Sequence, residues 1–195
     1  MKKRFLSNPF FGKLYTNFML DYDETSHILK TTVFLMFLFC YFIPHDGILK
    51  KNSLLPKLRT VFNASARDFN KISLNDLLHT GANLLPNISE LLLHWMTYRY
   101  VFVSDIKQMF RQILIHIDNR KYQQVLCRFI TNDEISGYSL NTVTYGVASS
   151  PFLANRVMKK LAIDEARNIH LVLQLLVQKL TWMALCQVAI HYLKL

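Results

Sequence analysis

The chain has 195 residues, with 23 Lys and Arg against 13 Asp and Glu, so its formal net charge is +10 at neutral pH. Hydrophobic residues make up 51% of it, while Gly and Pro number only five each. That composition excludes a disordered tail, a collagen-like repeat and a flexible linker protein. A basic excess in an apolar chain of domain length points to a polyanionic partner, nucleic acid first, or to an anionic membrane surface.

The hydrophobic pattern predicts helices and strands that do not alternate regularly. In the first half of the chain, the predicted elements are a helix over 8–30, a buried strand within 31–43, a strand over 58–62, a short helix or loop at 73–76 and a helix after Pro86. In the second half, they are a strand over 100–105, two strands over 123–129 and 138–144 that form a hairpin, and a helix from 149–151 to 164. Because no βαβ repeat is present, the pattern predicts the α+β class, with a mixed or antiparallel sheet and packed helices.

Cysteine spacing and two apolar runs bear on where the protein works. Cys40, Cys127 and Cys186 form no C-x-x-C pair, which indicates reduced buried thiols in an intracellular protein, cytoplasmic or nuclear. The run 31–43 is shorter than the roughly 20 residues of a spanning helix. The run 171–190 is long enough, but a lysine near its middle costs about 2.5–3.5 kcal/mol on insertion, so membrane anchoring is the less favoured alternative.

The stretch VFVSDIKQMFRQ places Asp105 at the end of an apolar strand, with Phe110 five residues later. A carboxylate at a strand end suits a divalent cation, because Mg²⁺ is bound by one or two carboxylates together with substrate phosphates. The same pattern also fits an aspartate that caps the next turn and a phenylalanine of the core.

Two further stretches have the composition of ligand-binding segments. In NTVTYGVASSP, Gly146 lies between a predicted strand and a predicted helix, where the backbone can approach a phosphate. The cations Lys50, Lys51, Lys57 and Arg59 can pair with a triphosphate or a template backbone. The alternatives are an ordinary turn in the first stretch, and in the second a solvated edge strand that lysines protect from pairing.

Taken together, these stretches resemble the reverse transcriptase domain of Bel/Pao-type LTR retrotransposon polyproteins. The resemblance extends over roughly residues 4–166, and its most specific parts are DIKQMFRQI and LNTVTYGVASSPFLA. It implies a right-hand polymerase fold, of which residues 1–166 supply the fingers and an incomplete palm.

The resemblance also implies roles for individual residues. Asp105 would bind the catalytic Mg²⁺, and Phe110 would disfavour the 2′-hydroxyl of ribonucleotides. The remaining implied contacts are with the incoming dNTP, by Arg59, Lys50, Lys51, Tyr145 and Gly146, and with the template, by Ser150 and Pro151. The implied partners are therefore an RNA or DNA template–primer and dNTP, with no small-molecule cofactor.

One departure from the family concerns the catalytic centre itself. The family's Y-V-D-D hairpin should follow the last predicted helix, but the chain has no Asp or Glu after Glu165. Residues 167–195 match nothing in the family and are predicted to be an unrelated apolar helical segment. Because two-metal catalysis needs carboxylates that hold both ions, we expect a truncated reverse transcriptase, inactive as this chain. The alternatives are a non-catalytic nucleic-acid-binding protein and a protein anchored in a membrane by 171–190.

Overall fold

The computed structural model describes residues 4, 7–31, 40–50, 57–99, 102–129, 133–165 and 185–188. The chain divides into two compact units, one formed by Met1–His79 with Phe110–Ser150 and the other by Thr80–Met109 with Pro151–Leu195. Each unit contains helices and antiparallel strands, so the predicted α+β class is confirmed.

The first unit begins with helix α1, Pro9–Glu24. Asn8 caps it, because its side-chain oxygen accepts the Phe11 N–H at 3.0 Å, and Pro9 stands at the first helical position. Phe11, Tyr15, Met19 and Tyr22 recur at three- and four-residue steps and form its buried face.

The predicted helix over 8–30 is too long, because α1 ends at Glu24. Ser26 adopts a left-handed conformation with φ 57°, which a helix cannot continue through. The chain then forms strand β1, Ile28–Lys30, whose backbone pairs with a strand more than a hundred residues later.

A three-stranded antiparallel sheet holds β1 beside the predicted hairpin. The hairpin is formed by β5, Gln124–Cys127, and β6, Ser136–Leu140, and the strand order is β1-β6-β5. Ile28 pairs with Leu140 across one side of β6, and Gln124 pairs with Ser139 across the other. Both predicted strands are therefore confirmed, each shorter than expected.

A second hairpin pairs β2, His45–Lys50, with β3, Lys57–Phe62. The predicted strand over 58–62 is confirmed as part of β3. The predicted strand within 31–43 lies mostly outside the described residues; of its end, Phe42 makes an isolated parallel bridge to Gln124.

The core of the first unit lies between α1 and these strands. It is built from aromatic and aliphatic side chains supplied by segments far apart in sequence, namely Tyr15, Met19, Tyr22, Ile28, Ile43, Phe62, Ala64, Leu74, Val125, Cys127, Tyr138, Leu140 and Val147. In sequence, these core residues come both before and after residues 80–109, which belong to the second unit. The first unit therefore forms only when residues 110–150 pack against residues 1–79.

The second unit contains helix α3, Ile88–Met96, and helix α4, Ser150–Glu165. Helix α4 begins within the predicted start at 149–151 and ends one residue beyond the predicted end, so the predicted helix is confirmed, although Ser150 itself groups with the first unit. Strand β4, Phe102–Asp105, pairs antiparallel with β7, Leu185–Val188, which sets Asp105 opposite Leu185.

Strand β7 bears on the helical prediction for 167–195. Only Leu185–Val188 of that segment is described, and there the backbone is a strand, because it hydrogen-bonds to β4. A short apolar run has no period that separates strand from buried helix, so the sequence alone did not distinguish them. Of the described helices, none is both long and apolar enough to cross a membrane.

Candidate nucleotide and nucleic-acid site

The residues predicted to bind nucleotide are divided between the two units. Arg59, Phe110, Tyr145, Gly146 and Ser150 belong to the first unit, and Asp105 and Pro151 belong to the second. Lys50 ends β2, opposite Lys57 in the register, and Lys51 lies outside the described residues. The geometry of the site is therefore described for the first unit.

A hydrogen bond connects Tyr145 to the strand that carries Arg59. The Tyr145 hydroxyl donates to the carbonyl oxygen of Thr60 at 2.6 Å, and its ring packs on Phe62 with centroids 5.2 Å apart. Burial raises the pKa of the Tyr145 phenol far above its ordinary value, and the nearby Arg59 guanidinium lowers it by a smaller amount. Tyr145 is therefore a neutral hydrogen-bond donor that fixes the turn against β3.

Gly146 occupies a position that no other residue fits. Its φ is +91°, in the left-handed region, and a Cβ built on it would lie 2.2 Å from the carbonyl oxygen of Phe62. The close backbone approach that the glycine permits is made here to the end of β3, and the approach of a phosphate to Gly146 stays a prediction.

Asn75 holds the same turn from the other side, and no motif in the sequence pointed to it. It lies in the short helix α2, Leu74–Leu77, whose start is a capping box between Ser73 and Asp76. Its side chain accepts the Ala148 N–H at 2.8 Å and donates to the Gly146 carbonyl at 3.0 Å and to Ser65 Oγ at 2.8 Å. One amide thus joins the stretch after β3 to the residues on both sides of Val147.

Arg59 is exposed on β3, directly before the residue that Tyr145 binds. In the register it lies opposite Ile48. Its guanidinium is therefore accessible to an anion, while the strand that carries it is fixed by Tyr145.

Ser150, which is predicted to contact a template, is buried. It is only 2% exposed, and its hydroxyl donates to the carbonyl oxygen of Thr144. The hydroxyl is thus used within the protein, where it closes the turn that precedes α4. Pro151, the next residue, is half-buried in the first turn of α4.

Phe110 lies in a 3₁₀ helix, Met109–Gln112, and is half-buried. The residue after it, Arg111, was not selected from the sequence, yet its side chain makes polar contacts with several described residues at once. Its Nη2 lies 2.8 Å from Asp21 Oδ2, its Nε donates to His27 Nδ1 at 3.0 Å, and its guanidinium covers the Tyr22 ring at 4.2 Å. These contacts, which we call the Arg111 clasp, fix the segment that carries Phe110 to the end of α1.

Of the surroundings of Asp105, the structure describes the backbone of one neighbouring strand. The Asp105 backbone lies at the end of β4, and the strand paired with it carries Leu185, Cys186, Gln187 and Val188, none of which is a carboxylate. Within the residues that the structure describes, no group of three or more His, Cys, Asp or Glu side chains is arranged to hold a metal ion. The described residues therefore give no basis for deriving a metal-dependent step.

No protein-family model matches the chain, and no curated protein is significantly similar to it.

Proposed function

We propose that residues 1–166 form a reverse-transcriptase-type module, comprising fingers and an incomplete palm, that binds a template–primer and dNTP without polymerising as this chain. The observation that carries the proposal is the hydrogen bond from Tyr145 to Thr60, which joins residues 85 positions apart. It brings together KLRTVF and NTVTYG, two segments of the resemblance to the Bel/Pao reverse transcriptases. Separate motifs of a nucleotide site are expected to converge in this way.

Charge supports the nucleic-acid part of the proposal. The net charge of +10 favours a polyanion, and the exposed Arg59 lies on a strand fixed to the glycine turn. A guanidinium presented by a rigid element suits a phosphate group, because little conformational entropy is lost when it binds.

The absence of polymerisation follows from the carboxylates. Two-metal phosphoryl transfer needs side chains that hold two ions about 3.5–4 Å apart, one stabilising the attacking oxygen and the other the leaving oxygen. Asp105 supplies one carboxylate, and the strand beside it supplies none. Nucleotide and template can still bind without the further carboxylates, because binding depends on cations and on the shape of the protein backbone.

The binding part is tested with a fluorescently labelled template–primer duplex and the purified chain, followed by anisotropy over a range of salt concentrations. We expect affinity that falls steeply with salt, and a log–log slope that is smaller by about 0.9 for Arg59→Ala, because this variant neutralises one phosphate fewer. Lys13→Ala is the matched control, because it removes an exposed cation from α1 and should leave the slope unchanged. Absence of binding even at low salt would refute the proposal.

The catalytic part is tested by primer extension in the presence of Mg²⁺. We expect the chain and its Asp105→Ala variant to give the same result, no incorporation above background. Incorporation that Asp105→Ala abolishes would overturn the prediction, because it would show that this chain completes a working metal site.

A further inference from the structure

Phe69 is exposed to solvent over its whole side chain, at 100%. The other large hydrophobic side chains that the structure describes all keep part of their surface covered. Single exposed apolar residues are ordinary in proteins, so exposure alone does not indicate a ligand. The case for a ligand comes from the turn that holds the ring, from its charged neighbours and from its attachment to the glycine turn.

The turn that presents Phe69 is fixed by its own hydrogen bonds. The Lys71 N–H donates to the Asp68 carbonyl at 3.0 Å, and the Asp68 N–H donates to the Ile72 carbonyl at 2.9 Å. A third bond runs from the Ile72 N–H to the Asp68 carboxylate at 3.0 Å. Phe69 is thus placed at a defined corner of a closed turn, and little order has to be gained when a flat ligand covers its ring.

Two cations flank Phe69 in the sequence. Arg67 and Lys71 are exposed two residues before and two residues after Phe69. Asp68 is the one acidic residue among residues 66–72, and one oxygen of its carboxylate already accepts the Ile72 N–H. An exposed aromatic residue with accessible cations shortly before and after it in the chain suits contact with a base and with the phosphates next to that base.

The stem of this turn is attached to the glycine turn of the candidate site. Asn75, which follows the Phe69 turn, donates to the Gly146 carbonyl and to Ser65 Oγ, which precedes it. All of these residues belong to the first unit. The Phe69 turn and the predicted nucleotide contact at Tyr145 and Gly146 are therefore parts of one fixed assembly.

We propose that Phe69 is a stacking platform for a nucleobase of single-stranded nucleic acid, and that Arg67 and Lys71 contact the flanking phosphates. The inference rests on the proposed nucleic-acid binding and adds to it a site and a substrate form. Stacking on a phenyl ring does not select among bases, so this contact is tolerant of sequence. It needs an unpaired strand, because the faces of bases in a duplex are covered by their neighbours.

The test measures binding of the full chain to a labelled oligothymidylate of about 16 nucleotides, a length at the upper end of known single-strand sites. Phe69→Ala should weaken binding by about 5- to 150-fold, the range found when the aromatic partner of one stacked base is removed. Phe69→Trp should retain the affinity, since the indole ring stacks as well. Phe10→Ala, which truncates a half-exposed phenylalanine on α1, should bind as the wild type does.

Salt and an abasic oligonucleotide separate stacking from charge. Phe69→Ala should keep the wild-type salt slope, whereas Lys71→Ala should reduce it by about 0.7, the value for one phosphate of a single strand. On an abasic strand of equal length, the wild type and Phe69→Ala should bind equally. A thermal melt of Phe69→Ala that superimposes on the wild type excludes loss of folding as the cause.

The outcomes distinguish failure of the Phe69 stacking platform from failure of the proposed nucleic-acid binding. If the wild type binds no nucleic acid at low salt, the proposed function fails and the inference fails with it. If the wild type binds and Phe69→Ala binds equally well, only the stacking platform is overturned. It is also overturned if Phe69→Ala loses affinity for the abasic strand, or if Phe69→Trp fails to retain binding while remaining folded.

Discussion

At the scale of single residues, two side chains of the first unit, Thr60 and Gln124, each bury a polar atom that has no hydrogen-bond partner among the described residues, and Thr60 offers the simpler test. Thr60 on β3 is completely buried, and its side-chain hydroxyl finds no hydrogen-bond partner among the described residues. A hydroxyl buried without a partner costs about 1–3 kcal/mol, judged from mutations in proteins. The backbone carbonyl of Thr60, by contrast, is hydrogen-bonded, because it accepts from the Tyr145 hydroxyl.

We therefore expect Thr60→Val to raise the free energy of unfolding by about 1 kcal/mol. Valine has the same shape and is favoured in strands, so the packing around it is retained. Equilibrium denaturation in urea measures the change. The matched control is Thr144→Val, which should lower stability, because the buried Thr144 hydroxyl donates to the Thr142 carbonyl at 3.2 Å. Destabilisation by both substitutions would show that the Thr60 hydroxyl is paired.

At the scale of elements, the Arg111 clasp joins the 3₁₀ helix after Phe110 to the end of α1. His27 Nδ1 accepts from Arg111 Nε at 3.0 Å and also lies 2.8 Å from Nη2 and 2.7 Å from Thr25 Oγ1. The other groups that face it are the Tyr22 ring, with centroids 5.8 Å apart, and the Asp21 carboxylate, which attracts a proton weakly. Because Nδ1 is an acceptor here, the clasp requires an unprotonated nitrogen.

Burial, and after it the Arg111 charge, lowers the pKa of His27 below its ordinary value. Between the two pKa values the unfolded chain binds a proton that the folded chain does not, so stability falls as pH decreases. We expect the free energy of unfolding to decline as the pH drops below about 6.5, the pKa of an unperturbed histidine. His45, whose pKa is also lowered mainly by burial, contributes in the same direction.

Denaturation at several pH values measures this decline. His27→Gln cannot titrate, while its side-chain oxygen can still accept from Arg111, so the decline should become shallower. If His27→Gln, with His45 intact, shows the same decline of stability with falling pH as the wild type, the attribution of this decline to His27 is wrong. Arg111→Ala is the complementary variant, and it should destabilise at every pH, because the 10% exposed guanidinium also covers Tyr22.

What the sequence could predict at this scale depends on how local the cause is. The short helix at Leu74 follows from the capping box of Ser73 and Asp76, and α4 begins at the predicted Ser-Pro step. The end of α1 could not be predicted, because it depends on β1 pairing with a strand distant in sequence. Asn75 was missed for a related reason, since the atoms that it binds in Gly146 and Ala148 are more than seventy residues away.

At the scale of the whole molecule, the dominant quantity is the net charge of +10. Like charges repel one another in the compact state, so this excess lowers the stability of the free protein. Two of the described ion pairs, Arg4–Asp46 and Lys160–Asp164, oppose it only weakly, because they are exposed on both sides, and such pairs contribute about 0–1 kcal/mol each. The Arg111–Asp21 pair is better covered, but it is a single local attraction. Self-repulsion should therefore exceed local attraction.

We accordingly expect the free energy of unfolding, in the absence of nucleic acid, to rise as NaCl is increased from about 0.01 M to about 0.15 M. The Debye length shortens over this range from about 30 Å to about 8 Å, which screens repulsion across a domain more than it screens contacts between neighbours. Lys13→Glu lowers the net charge by two, so its free energy of unfolding should rise less with salt. Lys13→Arg keeps the charge, so its free energy of unfolding should change with salt as that of the wild type does. A stability that falls with salt would mean that local ion pairs outweigh the excess charge. A polyanion that binds the folded chain should replace the effect of salt, since it neutralises the cations directly and stabilises the folded state by RT ln(1 + L/Kd), which grows with L, the free concentration of the polyanion.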